Sequence, residues 1–277
     1  MIISSKELLK TAKEKHFAVP SANFVDQLSA RAHIEVAEEM NLPLILSFAQ
    51  SHSVYQSLEE AAALGKYYAK KAKVPVVLHL DHGEDFDFVK KAVELGFTSV
   101  MIDASSKSLD ENIRITKEIV DMAHAHNVCV EAEIGHVGTG ISVDKFSEAQ
   151  SIYTSVDEAV TLTEKTGLDS LAVSIGTAHG SYKGTPVINF ERLHELAENV
   201  SVPLVLHGGS SSGDENLEKC ALGGIAKINI YTDFILGAYN NLQEKQAKDY
   251  YGAKEVLKDG MKDVLRRYYK VFHTQNI

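Results

Sequence analysis

Short apolar runs alternate along the chain with segments in which apolar residues recur every three or four positions. The short runs are typical of buried strands, and the longer spacing is typical of helices with one apolar face. Eight strands are predicted, at Phe17–Pro20, Leu44–Phe48, Val76–Leu80, Ser99–Ile102, Val128–Glu133, Ser170–Val173, Leu204–Leu206 and Ala226–Ile228. Helices are predicted to begin at Ser5 and Phe86 and to cover Gln27–Met40, Ser57–Lys73, Leu109–His126, Asp157–Thr166, Phe190–Asn199 and Glu215–Leu222.

The alternation of strands and helices predicts the fold class. Eight β–α units in a chain of 277 residues indicate an α/β fold, a (β/α)8 TIM barrel in which residues 1–277 form a single domain. A doubly wound open sheet is the alternative, but no strand is followed by the G-x-G-x-x-G turn of that class. After the eighth strand, Phe234 to Phe272 is predicted to add C-terminal helix throughout, with Gly260 as a candidate interruption.

Composition and charge narrow the class of protein. The chain has 44% hydrophobic and 24% charged residues, as ordinary globular proteins do. Its formal net charge of −10 argues against nucleic acid and anionic membranes as partners. The only cysteines, Cys129 and Cys220, fit a reducing compartment. Because the sequence also shows no membrane-length apolar run and no signal peptide, we expect a cytoplasmic protein.

The segment Val76–Asp85 is the first that suggests chemistry. It opens as a buried strand and ends in Asp81, His82 and Gly83, before a segment with helical periodicity. A carboxylate and an imidazole at the carboxyl end of a strand occupy the position at which α/β folds hold catalytic groups. The alternative is that Asp81 caps the following helix, with His82 in solvent beside it.

Histidines at other strand ends favour the catalytic interpretation. His179 follows the sixth strand and His207 ends the seventh, so a barrel brings both to the same rim as His82. Three imidazoles with a fourth position open to substrate form a catalytic zinc site, which can polarise a carbonyl oxygen. The sequence therefore predicts a metal centre at this rim.

The other nine histidines are expected to lack this placement. His79 lies inside the third strand and is predicted to be a hydrogen-bonded interior residue, or a neighbour that orients Asp81. His124 and His126 end a helix on the opposite rim, where a solvated role is expected.

Further polar residues and glycines gather at the same rim. Carboxylates and amides stand at strand ends, namely Asn23, Asp103, Glu131, Glu133 and Asn229. Glycine-rich segments follow the sixth and seventh strands, and Lys183 lies close to the first of them. Such loops let backbone N–H groups approach an anion, and the loops after the last two strands are the usual phosphate site of barrels. The alternative for each glycine is a tight turn.

With these motifs in place, the chain resembles the class II, zinc-dependent ketose-bisphosphate aldolases. Length and spacing are most similar to the fructose- and tagatose-bisphosphate branch, which also includes an inositol-pathway aldolase. The matching motifs follow the family order over nearly the whole chain. They are His79-Leu-Asp-His-Gly83, Met101-Ile-Asp103, Val130-Glu-Ala-Glu-Ile-Gly135, Ile175-Gly-Thr-Ala-His-Gly180, Leu204-Val-Leu-His-Gly-Gly-Ser210 and Lys227-Ile-Asn229.

The resemblance implies a role for each motif residue. It implies Zn²⁺ on His82, His179 and His207, with Asp81 as the general acid/base at the C4 hydroxyl or the aldehyde oxygen. Asp103 and Glu133 match positions that take a second metal ion in relatives; the alternative is that they orient the zinc ligands. The implied substrate-binding residues are Asn23, Gly180, Lys183, Gly208, Gly209, Ser210, Asn229, Tyr231 and Thr232. In relatives, backbone carbonyls near Gly180 and Gly208 often hold a monovalent cation, Na⁺ or K⁺.

Three positions depart from the family pattern. Relatives carry a Gly-Gly-x-Glu-Asp-like loop whose glutamate handles the enediolate proton, whereas the loop from Gly138 to Asp144 lacks acids at those places. The alternatives are that Asp144 or Glu148 substitutes by a shifted loop, or that the proton step differs. Tyr231 stands where fructose-bisphosphate enzymes have Asp and tagatose-bisphosphate enzymes have Ala, and Ala49 replaces a Ser or Thr. The metal site is therefore expected to be intact, and the sugar pocket is expected to differ from the standard pocket of the family.

The sequence thus predicts a zinc-dependent aldolase that cleaves a phosphorylated ketose, such as fructose- or tagatose-1,6-bisphosphate, reversibly into dihydroxyacetone phosphate and an aldehyde. Zn²⁺ would carry the enediolate charge, Asp81 would move the C4 hydroxyl proton, and the bound C1 phosphate would fix the ketone. Alternatives are a 6-phospho-5-dehydro-2-deoxygluconate-type aldolase, a zinc hydrolase or isomerase on the same barrel, and a non-catalytic sugar-phosphate sensor. A homodimer or homotetramer is expected, as in the family.

Overall fold

Eight parallel strands form a closed barrel in the computed structural model, which describes residues 1–135, 138–139, 153–179 and 186–277. The described strands are β1 Ile2–Ile3, β2 Val19–Asn23, β3 Leu44–Ala49, β4 Val76–Gly83, β5 Ser99–Ile102, β6 Cys129–Ile134, β7 Gly138–Thr139, β8 Ser170–Val173, β9 Ala178–His179, β10 Leu204–Leu206 and β11 Ile225–Ile230. The barrel strands pair in the order β4–β3–β2–β11–β10–β8–β6–β5, and β5 pairs with β4 to close the sheet. The predicted (β/α)8 barrel is confirmed, and the doubly wound alternative is wrong.

Helices connect most of these strands. They are α1 Ser5–Lys15, α2 Gln27–Met40, α3 Leu58–Lys71, α4 Phe86–Leu95, α5 Leu109–His124, α6 Val156–Thr166, α7 Phe190–Asn199, α8 Asp214–Leu222, α9 Thr232–Lys245 and α10 Tyr250–Val271. Capping side chains fix several starts: Ser57 and Glu60, for example, bond each other's backbone N–H at the start of α3. Among the described residues, no helix combines the length and the apolar character needed to cross a membrane.

Several strands extend further than their apolar runs. β4 was predicted to end at Leu80 but continues through Asp81 and His82 to Gly83, and β11 continues beyond Ile228 to Ile230. The first barrel strand covers Val19–Asn23 instead of Phe17–Pro20. The parallel ladder supplies backbone hydrogen bonds to polar and apolar residues alike, so hydrophobicity marks the buried centre of a strand better than its end. As a result, the polar residues expected just after these strands lie within them.

The C-terminal segment differs from the predicted continuous helix. It forms two helices, α9 and α10, and the first ends at Lys245, before Gln246, whose backbone is left-handed with φ 44°. Gly260 lies inside α10 and does not interrupt it. A Cβ atom at this position would overlap the backbone carbonyl of Gly237, so the glycine serves the close approach of α10 to α9.

Helix α1 packs against the amino-terminal end of the barrel. Leu8, Leu9 and Ala12 form one of its faces and are buried in a cluster with the strand residues Ile45 and Val77. Apolar packing therefore fills this end, and the polar strand ends lie at the opposite rim.

Candidate active site

Asp81 is held at the carboxyl rim by two amides. The Nδ2 of Asn23 donates to Oδ2 of Asp81 at 2.8 Å, and the Nδ2 of Asn229 donates to Oδ1 at 2.8 Å. The three side chains come from β2, β4 and β11, and all are buried. The pair of donors fixes the carboxylate plane, and both amides favour the ionised form.

The histidines beside Asp81 reinforce its charge. Burial raises the pKa of Asp81, but His82 and His207 outweigh burial and hold the pKa well below its ordinary value. A carboxylate that stays ionised can accept a proton from a bound hydroxyl group. The alternative in which Asp81 caps α4 is wrong, because Asp85 occupies that position and accepts from the backbone N–H of Phe88.

His82 is positioned by an irregularity in β4. Its backbone is left-handed, with φ 46°, and the pairing with β5 shifts register between Leu80 and Gly83. Its Nδ1 lies 2.9 Å from Oδ2 of Asp103, which favours the proton on Nδ1 and the lone pair on Nε2. Burial lowers the pKa of His82, but Asp81 and Asp103 outweigh burial and raise it.

His207 lies between two buried carboxylates. Its Nε2 is 3.0 Å from Oε1 of Glu131, and its Nδ1 is 2.8 Å from Oε2 of Glu133. Burial lowers the pKa of His207, but these two carboxylates outweigh burial and raise the pKa to about 10. The ring is also packed against His82, with 4.6 Å between the ring centroids.

A charged network supports His207 from inside the barrel. The Nζ of Lys227 donates to both carboxylate oxygens of Glu131 at 2.8 Å, and it lies 3.3 Å from Nε2 of His79. The other ring nitrogen of His79 lies 2.9 Å from Oγ of Ser99. Burial, together with Lys227, lowers the pKa of His79 to about 3. His79 is thus the hydrogen-bonded interior histidine that was predicted, and Asp81 takes its orientation from the amides instead.

The rim gathers two sets of side chains that suit a metal ion. Ligand atoms of Asp81, His82 and His207 lie within 4.8 Å of one another, and so do those of His82, Asp103 and Glu133. Two zinc ligands at ordinary bond lengths are separated by about 3.3 Å in a tetrahedral site. Imidazole nitrogens and carboxylate oxygens are zinc ligands, so the described residues fit this ion.

The third predicted metal ligand is described only by its backbone. His179 belongs to β9, which pairs with β7 so that Thr139 and His179 are in register. Gly180 and Lys183, and also Asp144 and Glu148, lie outside the described residues.

The loop after β10 and the start of α9 form a second part of the rim. Oγ of Ser210 accepts from the backbone N–H groups of Tyr231 at 3.2 Å and Asp233 at 3.3 Å. The backbone of Gly208 is left-handed, with φ 67°, and a Cβ atom there would overlap the backbone of Ala178. The loops after the seventh and eighth barrel strands are the usual phosphate position of barrels.

Most of the predicted residues line one cavity of about 830 Å³. Those lining it are Asn23, Asp81, His82, Asp103, Glu133, Gly208, Ser210, Asn229, Tyr231 and Thr232. His207 and Gly209 are buried and do not line it. His124 stays at the opposite rim, where its Nε2 lies 2.7 Å from Oδ2 of Asp169.

Sequence reasoning missed several cavity residues, and one of them is a histidine. His52 lines the cavity from a short 3-10 helix, Gln50–Val54, directly after β3. The expectation that only three histidines reach this rim is therefore wrong. The signal was present in the sequence, because His52 follows the end of the second predicted strand by four residues.

Comparison with known proteins identifies a family. The chain matches the family described as fructose-bisphosphate aldolase class II over residues 3–277. It is similar to the YdjI aldolase of Escherichia coli K12, with a TM-score of 0.89 and 34% identity over 99% of this chain and 98% of that chain. A Coccidioides immitis protein assigned as a fructose-1,6-bisphosphate aldolase gives a TM-score of 0.83 and 26% identity over 96% of both chains.

A third solved structure shares the fold. The fructose-bisphosphate aldolase of Campylobacter jejuni gives a TM-score of 0.83 at 24% identity, over 98% of this chain and 95% of that chain. The family match includes every strand that contributes a side chain to the cavity. The chain therefore belongs to the class II fructose-bisphosphate aldolase family, and it is an aldolase.

Proposed function

We propose that the protein is a zinc-dependent aldolase that cleaves a ketose phosphate reversibly into dihydroxyacetone phosphate and an aldehyde. The candidate substrates are fructose-1,6-bisphosphate, tagatose-1,6-bisphosphate and related ketose phosphates. One observation carries the proposal: an ionised Asp81, clamped by Asn23 and Asn229, lies beside the histidines that can bind a metal ion. A base next to a Lewis-acid site is the arrangement that carbon–carbon cleavage beside a ketone requires.

The zinc ligands in this proposal are His82, His179 and His207. When bound there, Zn²⁺ supplies Lewis acidity for the negative charge that cleavage leaves on the ketone half. Asp103 orients His82 through its Nδ1, and Glu131 orients His207 through its Nε2. The second ligand set of His82, Asp103 and Glu133 supports the alternative that a metal ion also binds there.

Asp81 moves the proton of the reaction at the C4 oxygen. In the cleavage direction its carboxylate accepts the C4 hydroxyl proton, and in the reverse direction it returns that proton to the aldehyde oxygen. Asn23 and Asn229 hold the two carboxylate oxygens in place while this happens, because each donates one hydrogen bond. The proton at C3 is assigned to Asp144 or Glu148, the acids of the segment that follows Thr139 in the sequence.

The substrate phosphate is assigned to the loop after β10 and the start of α9. Gly208, Gly209 and Ser210 would surround it together with Thr232, and Gly180 and Lys183 would complete the site. Ser210 joins this loop to the start of α9, the position at which barrels usually bind phosphate, and this supports the assignment. A fixed phosphate would orient the ketone relative to Asp81. A monovalent cation, Na⁺ or K⁺, is assigned to the carbonyls near Gly180 and Gly208.

Assembly and location complete the proposal. We expect a cytoplasmic single-domain protein that forms a homodimer or homotetramer. Exposed apolar side chains on the C-terminal helices, including Leu236 and Tyr239 on α9, support self-association. Light scattering after size-exclusion chromatography measures the oligomeric state directly.

A coupled assay for dihydroxyacetone phosphate tests the activity. Fructose-1,6-bisphosphate, tagatose-1,6-bisphosphate and related ketose phosphates are each supplied to the protein, with and without a chelator. Release that a chelator abolishes and Zn²⁺ restores is the expected result, and the preferred ketose names the substrate. Dihydroxyacetone phosphate labelled at C3 should also lose its label to solvent. Zinc-loaded protein that binds the compound without releasing label would instead be a sensor.

A further inference from the structure

His52 is a buried histidine that the proposed reaction does not use. It is 8% exposed, and it lines the cavity beside Ala49 and Tyr231. Its ring packs on that of Tyr231, with 4.3 Å between the centroids and 41° between the planes. Within the described part of the chain, its Nδ1 has no hydrogen-bond partner.

The environment of His52 selects one form of the ring. A neutral imidazole carries one N–H, and burial, the main influence on His52, lowers its pKa and favours this neutral form. A proton on the enclosed Nδ1 would be a buried donor with nothing to bond, which costs free energy. An unprotonated Nδ1 would be a buried acceptor without a partner, which proteins tolerate more often than a buried donor without one. This difference favours the proton on Nε2, from which His52 offers a donor to a molecule in the cavity.

The position of His52 separates it from the metal ligands. Around the barrel, β11, β2, β3 and β4 are consecutive, and they contribute Asn229, Asn23, Ala49 and Asp81. The contact of His52 with Tyr231 links the end of β3 to the start of α9, across β2. The candidate ligands His82, Asp103 and Glu133 come from β4, the end of β5 and β6, on the side of β4 away from β3. Asp81 on β4 therefore lies between this ligand set and His52, which follows β3.

We infer that His52 is a specificity-determining residue that donates a hydrogen bond from Nε2 to a hydroxyl group of the aldehyde half of the substrate. The inference rests on the proposed function, in which Asp81 acts at C4 and the ketone half lies toward the metal. The carbon atoms beyond C4 then extend toward His52. Tyr231 holds the imidazole plane through the ring contact, so the two residues together determine which aldehyde half is bound.

The test compares two aldehydes in the condensation direction. Zinc-loaded full-length protein receives dihydroxyacetone phosphate with either lactaldehyde, in each enantiomer, or propanal, which lacks only the hydroxyl group at C2. That hydroxyl becomes the C5 hydroxyl of the product. Wild-type protein should favour lactaldehyde in kcat/KM, and His52→Phe, which keeps an aromatic ring but no donor, should reduce the preference about tenfold. The ratio of kcat/KM for lactaldehyde to kcat/KM for propanal is compared between wild type and variant, so the intrinsic reactivity of each aldehyde cancels.

His33→Phe is the matched control. His33 is also buried, packs on an aromatic ring, that of Phe234, and has an Nδ1 without a described partner, but it does not line the cavity. The control should keep the wild-type ratio of the two kcat/KM values. Tyr231→Leu removes the ring contact and leaves His52, and it should lower the ratio of the two kcat/KM values. If His52→Phe does not fold, this variant is used for the test.

Each outcome is decisive. The inference is overturned by a wild-type enzyme without preference for lactaldehyde, by a His52→Phe enzyme that keeps the preference, or by a His33→Phe enzyme that loses it equally. Release of C3 label from dihydroxyacetone phosphate is measured in the same wild-type sample. Its absence, together with absence of condensation, overturns the proposed function and this inference with it, whereas label release without aldehyde discrimination overturns only the inference.

Discussion

The carboxylate of Asp81 and the amide of Asn229 are joined by a hydrogen bond of 2.8 Å between buried side chains. The bond crosses the barrel rim from β11 to β4 and fixes the oxygen that we assign to proton transfer. Asp81→Asn keeps the shape of the side chain but removes the base. It should lower kcat for ketose cleavage about a hundredfold to ten-thousandfold, the usual contribution of a positioned acid or base.

The same variant should lose less activity in C3 label release from dihydroxyacetone phosphate. That reaction involves no C4 hydroxyl group, so the assigned role of Asp81 does not enter it. Steady-state cleavage and label release, measured on one preparation, provide the comparison. Equal losses in both reactions would contradict the assignment of Asp81 to the C4 oxygen.

Replacing His207 tests the metal centre. His207→Ala removes a ring that is fully buried between Glu131 and Glu133, and it should abolish both zinc retention and cleavage. Elemental analysis after gel filtration measures the bound zinc. His124→Ala, at the opposite rim, is the control and should retain the wild-type zinc content. A His207→Ala protein with full metal and full rate would refute this residue as a ligand.

More of the fold than of the candidate site could be predicted from the sequence. Each of the eight strands was found because a barrel buries its strands on both faces, which leaves apolar runs such as Leu204–Leu206. The extension of β4 through His82 could not be found in this way, because it depends on pairing with β5. The link from Lys227 through Glu131 to His207 joins β6 to β11 and to the residue after β10, which are distant from β6 in the chain. Spacing alone does not report which polar side chains meet inside a barrel.

The ion pair of Lys227 and Glu131 makes a prediction about stability. Both side chains are 1% exposed, and Nζ lies 2.8 Å from each carboxylate oxygen. Glu131→Gln leaves a buried ammonium group without its counter-charge, which should reduce the free energy of unfolding by about 3–5 kcal/mol. Urea denaturation in the presence of a chelator measures the loss without a contribution from bound metal.

Two further variants control this measurement. Glu131→Gln combined with Lys227→Met should be less destabilised than Glu131→Gln alone, because the uncompensated charge is gone. Glu215→Gln breaks the exposed pair with Lys219 and should have no measurable effect. A double variant as unstable as the single one would mean that lost packing, and not the unpaired charge, determines the result.

The lowered pKa of His33 leads to a prediction of how the free energy of unfolding depends on pH. Burial lowers the pKa of His33 from 6.5 to about 4, while the hydrogen bond between Nε2 and the backbone oxygen of Asn23, 3.2 Å long, opposes that effect. Between these two pKa values the unfolded chain binds a proton that the folded protein does not bind. Keeping His33 neutral in the folded protein therefore costs no free energy of unfolding above the pKa of the unfolded chain. The free energy of unfolding decreases as the pH falls from that value toward the pKa of the folded protein.

The variant His33→Gln keeps a donor for Asn23 but does not titrate. Between about pH 7.5 and about pH 5, wild-type protein should lose about 2 kcal/mol more unfolding free energy than this variant, from the linkage of 1.36 kcal/mol per pKa unit. Urea denaturation at both pH values gives the two differences. Other buried histidines, such as His79, contribute equally to both proteins and cancel. Identical pH dependence in the two proteins would show that His33 is not held neutral by burial in the folded state.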